Sequence, residues 1–527
     1  MQMRLKLGFK SRTVMLLVAL MIAGACLSAP LFADAAPAAQ PEDPSGTKTG
    51  TAADIGATDK STILDLANAI GHNRVALNIM WTLITGFLVM FMQAGFAMVE
   101  TGLTRAKNVA HTMAMNFMIY PLGMLGFWLM GYGLMFGGVG SIGTMGGFNG
   151  LNKEVTISLF GKTFGLFGGK GFMLNGAYDV GAFALFLFQM VFMDTTATIP
   201  TGASAERWKY SSFFIYGIAV GLFMYPIYGN WVWGGGWLSQ LGANFHLGHG
   251  HVDFAGSSVV HMSGGVIGLI FAWMLGPRIG KYNRNGTPNA IPGHNIPMAV
   301  IGTFILAFGW FGFNPGSTLA GADLRISVVA TNTMLASAGG ALMAALWMWF
   351  IRSRKPDPSM MLNGMLAGLV AITAPCAFVT SWAAIVIGLI SGIIVVEAAF
   401  LLERKLKIDD PVGAIAVHGF NGAWGVLALG LFADGTYGDG WNGVAGTVRG
   451  LFYGDPSQFL AEVIGVLANF VWYAVISVIV FSIAGLLVKG NRVSAATEMQ
   501  GLDIPEMGVV GYSGVKMDKP SETMLSR

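Results

Sequence analysis

The sequence predicts an all-α polytopic membrane protein: eleven transmembrane helices, arranged as two five-helix halves related as an inverted repeat plus an eleventh helix. Three observations predict it. Charged residues make up only 11% of the chain and hydrophobic ones 54%, with 75 glycines and 32 methionines, whereas soluble chains carry about 25% charged residues. Apolar stretches of roughly 20 residues recur from Ala76 onward, each long enough to cross a hydrocarbon core of about 30 Å. A pattern containing one histidine occurs twice, in segments that enter from opposite faces.

Residues 1–35 read as a secretory signal peptide. Arg4, Lys6, Lys10 and Arg12 precede the apolar run Val14 to Ala25, and small residues follow at Ala33-Asp34-Ala35. A first membrane span is the competing reading, but the run is too short. A lipoprotein signal at Cys26 is disfavoured by Ala23, where a larger apolar residue is usual. Loss of Cys26 leaves Cys376 and hence no disulfide in the mature chain. Residues 36–75, rich in Ala, Pro, Gly and Thr up to about 62, form a flexible periplasmic leader. The membrane domain runs over 76–490, and 491–527 make a C-terminal tail.

Spans are expected at 76–99, 112–135, 179–201, 210–229, 256–276, 297–313, 326–351, 360–378, 381–403, 412–432 and 460–488. With the start outside, the inner connections carry Arg105, Lys107, Arg207, Lys209, Arg278, Lys281, Arg284, Arg352, Arg354, Lys355, Arg404, Lys405 and Lys407. The outer ones carry only Lys153, Lys162, Lys170, Arg325 and Arg449 over more residues. Basic loops stay inside, so charge and signal peptide agree on a periplasmic start and a cytoplasmic tail in a bacterial inner membrane. The net charge of +3 is too small to suggest nucleic acid. The Gly-rich outer connection at 136–178 contains Phe160-Gly161-Lys162-Thr163, yet Thr156 stands where a phosphate-binding loop requires glycine. Nucleotide binding is set aside, and with it an ATP-driven pump: the solute's gradient or the membrane potential must drive transport.

Residues 253–268 and 410–425 share D-x-x-G-x-x-x-V-H-x-x-x-G-x-x-G, filled by Asp253, Gly256, Val260, His261, Gly265 and Gly268 and by Asp410, Gly413, Val417, His418, Gly422 and Gly425. The first copy opens span five outside and the second opens span ten inside. Such opposition marks an inverted repeat with its site near the bilayer midplane. Eight residues at 1.5 Å each carry either histidine about 12 Å inward from its Asp, so the two arrive at similar depth. A lone intramembrane His is often just a satisfied polar group. Paired inverted copies favour function, because ionisable groups at that depth are costly. No further Cys, His or acid stands at helical spacing beside either, so no metal or other cofactor is expected. His246, His249 and His251 of the outer loop could bind a metal, but an exposed, unemployed cluster is the expectation.

Gly102-Leu-Thr-Arg-Ala-Lys-Asn108, Ala205-Glu206-Arg207, Trp231-Val-Trp-Gly-Gly-Gly236, Asp253-Phe-Ala-Gly with His261, Gly309-Trp-Phe-Gly-Phe-Asn-Pro-Gly-Ser317, Gly368-Leu-Val-Ala-Ile-Thr373 and Asp409-Asp-Pro with His418 occur in this order. In these motifs the chain, over residues 78 to 512, resembles the Amt/Mep/Rh ammonium transporter family, and its Amt branch closely. The resemblance implies a homotrimer with a pore in each subunit and an eleventh helix leaning along the outside. It implies that Trp233 and Ser317, with Asp253 near them, form an outer ammonium site, and that Phe192 and Phe313 are stacked rings gating its floor. His261 and His418 would be the twin histidines of the pore, with Trp310 and Asn314 in the span-six motif. A PII-type signal protein is the implied cytoplasmic partner.

The chemistry suits these roles. A Trp face attracts a cation by roughly 0.5–2 kcal/mol, and a Ser hydroxyl accepts the N–H bonds that distinguish ammonium from K⁺. Each aromatic taken singly is more often a packing residue, about four to one, so these assignments rest on the motifs, and Asp253 is mostly a cap for span five. Val99 and Glu100 stand where many bacterial members have aromatic residues, and Met507 and Val509 replace the usual His and Glu of the tail motif. The function expected is uptake without covalent catalysis: ammonium loses a proton outside, crosses as NH₃ between the histidines, and net charge moves inward. A Rh-like electroneutral gas channel, an ammonium sensor and an organic-solute transporter are the alternatives. Trp233 in its Trp-Gly-Gly-Gly setting argues against the first. Sensors usually add a signalling domain, whereas about 39 residues follow span eleven here. Organic-solute sites usually show broken helices and a charged partner. Asp194 is an acid in span three about 200° around the helix from Phe192. It is expected protonated or bonded to a neighbouring helix, at a subunit contact, with a proton relay as the competing role.

Overall fold

The computed structural model describes residues 62–139, 142–146 and 151–512. The expected signal peptide, the leader up to residue 61 and the tail beyond 512 lie outside the described residues. Among the described residues, ten helices are long and apolar enough to cross a membrane, and an eleventh apolar helix is shorter. In chain order they are α1 (Ile63–Leu103), α2 (Ala106–Phe136), α3 (Val180–Ala203), α4 (Tyr210–Trp233), α5 (Ser257–Leu275), α6 (Ile296–Gly316), α7 (Ile326–Arg352), α8 (Pro358–Ile372), α9 (Ser381–Leu406), α10 (Ile415–Phe432) and α11 (Pro456–Leu487). Each overlaps an expected span. The sequence signals its starts: Asp179, Asp357 and Asp455 cap α3, α8 and α11 with side-chain carboxylates, and Asn295 caps α6.

Two boundaries differ from expectation. Helix α1 begins at Ile63, so residues expected in the leader form its first turns. Thr62 caps it, accepting from Asp65 N. Helix α8 stops at Ile372, six residues before the expected end. Fifteen residues reach only about 22 Å, and a turn through Pro375 continues the chain inside the protein, where irregular backbone at depth is tolerated. There Asn332 Nδ2 donates to the carbonyls of Cys376 and Val379.

The packing repeats between the halves. Helix α2 packs on α3 and α4 as α7 packs on α8 and α9, and α3 packs on α5 as α8 packs on α10. Helices α1 and α6 lie against each other, as do α5 and α10. Each of these pairs matches the other half's counterpart with itself, as helices on a pseudo-twofold axis must. Outward-facing Phe87, Phe91, Phe304, Phe308, Leu467 and Val475 are exposed in the single chain, which fits an apolar surrounding.

One end of the bundle carries a hairpin, β1 (Glu154–Leu159) and β2 (Lys162–Gly168), paired antiparallel. Phe160 and Gly161 both adopt positive φ, 52° and 71°, the requirement of a two-residue turn between twisted strands. The fragment that invites comparison with a phosphate loop is this turn. The hairpin docks through Trp231 Nε1 to Leu166 O and Trp237 N to Gly165 O. Beneath it, Glu154 accepts from Asn230 Nδ2 at 3.2 Å, and burial pushes its carboxyl up to about 7 against that bond.

The opposite end gathers the basic loops. Arg278 grips Asp409 through Nε (2.8 Å) and a terminal nitrogen (3.0 Å) and approaches Glu206 at 3.3 Å, and Arg105 also pairs with Glu206. Burial works against both carboxylates, but the guanidiniums outweigh it and hold them below their ordinary range. The tail crosses the same face. Lys107 Nζ donates to the carbonyls of Glu498 and Met499, Asp503 accepts from His111 N, and Glu506 accepts from Tyr210 N.

Candidate functional site

The two copies of the repeat build the site alike. Asp253 and Asp410 cap their helices, and Gly256 and Gly413 at matched positions take φ of 115° and 82°, which a side chain would strain. Asp253 Oδ1 accepts from the amides of Gly256 and Ser257, and Oδ2 accepts from the amides of Ser258 and Val259 and from Ser258 Oγ. Asp410 accepts from Gly413 N and Ile415 N. Each chain then makes a π-helical turn, Ser257–Met262 and Ile415–Phe420, and each histidine lies within it. Such turns recur at functional sites because the wide turn re-aims a side chain.

The histidines meet. His261 Nδ1 and His418 Nδ1 lie 3.2 Å apart in the buried centre, with ring centroids 5.3 Å apart and 26° from parallel. A Cβ at Gly265 would stand 2.2 Å from Gly419 N, so only glycine lets α5 and α10 approach this closely.

A column of rings runs through the pair. From the hairpin end, Trp233 lies 6.1 Å from Phe192, which stacks on Phe313 at 4.2 Å and 28°. Phe313 stacks on His261 at 5.2 Å, and beyond His418 lies Phe96 at 5.9 Å. Trp310 stacks on the flank of His261 at 5.2 Å, steadied by its own Nε1–H bond to Thr373 Oγ1. Asn314 donates to Thr333 Oγ1 on α7 and so ties α6 to its neighbour.

Above the stacked phenylalanines, a cavity of about 260 Å³ is lined by Trp233, Ser317, Phe188, Gln189, Phe254 and Trp441. Trp233 donates Nε1–H to Asp253 O, which fixes the indole. Ser317 donates to Phe313 O and so keeps its oxygen lone pairs for another donor. A second cavity of about 410 Å³ opens at the tail end, lined by Leu103, Ile296, Asn363, Asp410, Val412 and Gly413. Burial raises the Asp410 carboxyl, against the pull of backbone N–H bonds. Trp233, Phe192, Phe313, His261 and His418 thus follow one another along one column, with Ser317 at its first cavity and Trp310 on its flank, whereas Asp253 has both oxygens committed to the cap.

Gln189 was not foreseen. It sits one turn from Phe192 on α3, and its buried Oε1 has no hydrogen-bond partner among the described residues, so it offers a further acceptor at the first cavity. Helical spacing from Phe192 was the available signal. Two expectations are corrected. His249 and His251 are buried rather than exposed: His249 Nε2 bonds to Gly446 O at 2.9 Å, and His251 pairs through Nδ1 with Glu462 at 2.6 Å. Burial alone would lower the His251 pKa, but the Glu462 carboxylate prevails and raises it. No cluster of three metal-binding side chains occurs among the described residues. Asp194, 2% exposed, lies inside the subunit rather than on an outer face, and its Oδ1 finds no partner on a neighbouring helix.

Comparison with known proteins gives the family. The family model of the Ammonium Transporter Family matches residues 80–512. The ammonium transporter Amt2 of Archaeoglobus fulgidus is 47% identical over 439 residues, covering 83% of this chain and 88% of that protein. Among solved structures, a Sensor Amt Protein superposes with a TM-score of 0.71 at 35% identity, covering 83% of this chain and 100% of the other. Mep2 of Candida albicans gives a TM-score of 0.64 at 26% identity, covering 77% and 83%.

Proposed function

The chain belongs to the ammonium transporter family, and from that premise we propose that it takes up ammonium by splitting it into NH₃ and a proton that cross separately. The cation is held at Trp233, Ser317 and Gln189 with the Asp253 charge behind them, and it gives up its proton above Phe192 and Phe313. NH₃ then passes the histidine pair to the tail-end cavity. The ring column supports this reading. Its walls are apolar except for the imidazoles, so carrying a bare ion through would cost far more than carrying the neutral gas. The histidine pair offers the proton a hydrogen-bonded crossing, and net positive charge moves inward.

The tail end faces the cytoplasm, following the basic loops gathered there. The protein works as a trimer in an inner membrane, each copy with its own pore, and a PII-type protein docks over the tail face. The deciding experiment is current recording on proteoliposomes given an ammonium pulse. Inward current with little response to K⁺ is expected. Tracer uptake without current would favour an electroneutral gas channel, and binding with neither would favour sensing.

A further inference from the structure

Phe96 and Glu100 stand four residues apart on α1, which places them on one helix face about 6 Å apart along the axis. Phe96 touches His418, so Glu100 lies one turn nearer the tail-end cavity. Its carboxyl is 2% exposed and forms no salt bridge among the described residues. Helix α2 supplies Asn116, whose Nδ2 donates to Oε2 at 2.7 Å, and α3 supplies Thr201, whose Oγ1 lies 3.0 and 2.8 Å from the two carboxyl oxygens. The segment before α10 brings only a like charge, Asp410.

Hydrogen counting allows this group both states. Thr201 Oγ1 has one hydrogen and three acceptors in reach: both Glu100 oxygens and Thr198 O. With that hydrogen on Thr198 O, the remaining contact is satisfied when Glu100 is the neutral acid and donates to Thr201. Ionised, the group would be a buried charge without a counter-ion. It is also close to the cavity. A Cβ on Gly202 would lie 3.0 Å from Glu100 Oε1 and 2.5 Å from Val412 Cγ2, and Val412 lines the cavity.

The structure assigns Glu100 as a proton-holding residue between the histidine pair and the tail-end cavity, a role that rests on the separate passage of NH₃ and proton. A proton leaving His418 binds a Glu100 oxygen and makes the acid. On release the O–H bond breaks, an N–H bond forms on NH₃ in the cavity, and ammonium leaves. The carboxylate keeps the Asn116 bond and takes the Thr201 hydrogen until the next proton arrives.

The test compares ammonium-evoked current with methylammonium tracer uptake in proteoliposomes of the full chain. Glu100→Gln keeps the shape and cannot ionise, so current should fall about a hundredfold relative to uptake, the scale of a lost proton-transfer group. Glu100→Asp should retain current. An unchanged ratio in Glu100→Gln overturns the assignment, whereas absence of current in the unaltered protein overturns the transport reading instead. Should Glu100→Gln fail to assemble, infrared difference spectra of the unaltered protein decide. A carboxylic-acid band that responds to the pulse and shifts in Glu100→Asp supports the role, and its absence overturns it.

Discussion

Nδ1 of His261 faces Nδ1 of His418 at 3.2 Å, so one of these nitrogens carries the hydrogen and the other must accept it. The pair therefore holds one shared hydrogen at the buried centre of the ring column, and moving a proton along the column requires both imidazoles to exchange tautomers.

Replacing either histidine with alanine breaks that exchange. His418→Ala and His261→Ala are expected to lower ammonium-evoked current by about 100-fold or more while the protein still assembles in the membrane. Current recording beside size-exclusion chromatography checks both halves of the statement, and a His418→Ala protein with full current would refute the shared-hydrogen path.

Trp233 lines the first cavity. Losing about 0.5–2 kcal/mol of cation attraction in Trp233→Leu corresponds to an increase of about 2- to 30-fold in the ammonium concentration giving half-maximal current. Unchanged half-saturation in a concentration series would remove Trp233 from the recruitment site.

Arg278→Ala leaves Asp409 and Glu206 buried without their shared partner, and a loss of about 3–5 kcal/mol of stability is expected. The acid dependence has a definite sign. Both carboxyls have folded pKa values below their ordinary 3.8 and 4.5, so their contribution is complete above those values and is lost as pH falls through the depressed ones. The part of the thermal stability in detergent that depends on Arg278, read as the difference between the unaltered protein and Arg278→Ala, should be constant from neutral pH down to about 5 and shrink only at lower pH.

Asp194 is buried away from the column, with Oδ1 unpartnered. Asp194→Asn keeps the size without the acid and should carry current close to the unaltered level with normal assembly. A well-assembled but silent Asp194→Asn protein would instead make this carboxyl a proton relay.

The spans were legible because a 20-residue apolar run has one stable arrangement in lipid, and the histidine pair because a repeated Asp-to-His spacing fixes depth on helices of known rise. What the sequence hid depends on partners far along the chain. Nothing near His251 announces Glu462, 211 residues away, so burial of that histidine could not be read. The hairpin at 154–168 escaped because its strands are short and lie in a Gly-rich connection, and the early start of α1 because Thr62 capping extends helix into polar sequence. Asp410 and Gly413 reproduce the cap and positive φ of Asp253 and Gly256, but the π-helical turns that follow left no mark in the pattern.

That mirrored construction bears on direction. A particle at the midpoint meets one histidine from each half on the same helical build looking either way, so the histidine pair itself favours neither direction. Whatever asymmetry the flux has must come from the ends: an aromatic vestibule with Trp233 and Ser317 at one mouth, and a carboxyl-bearing one with Asp410 at the other. Reversing the ammonium gradient across this protein should therefore reverse the flow, with the two vestibules setting how unequal the forward and backward rates become.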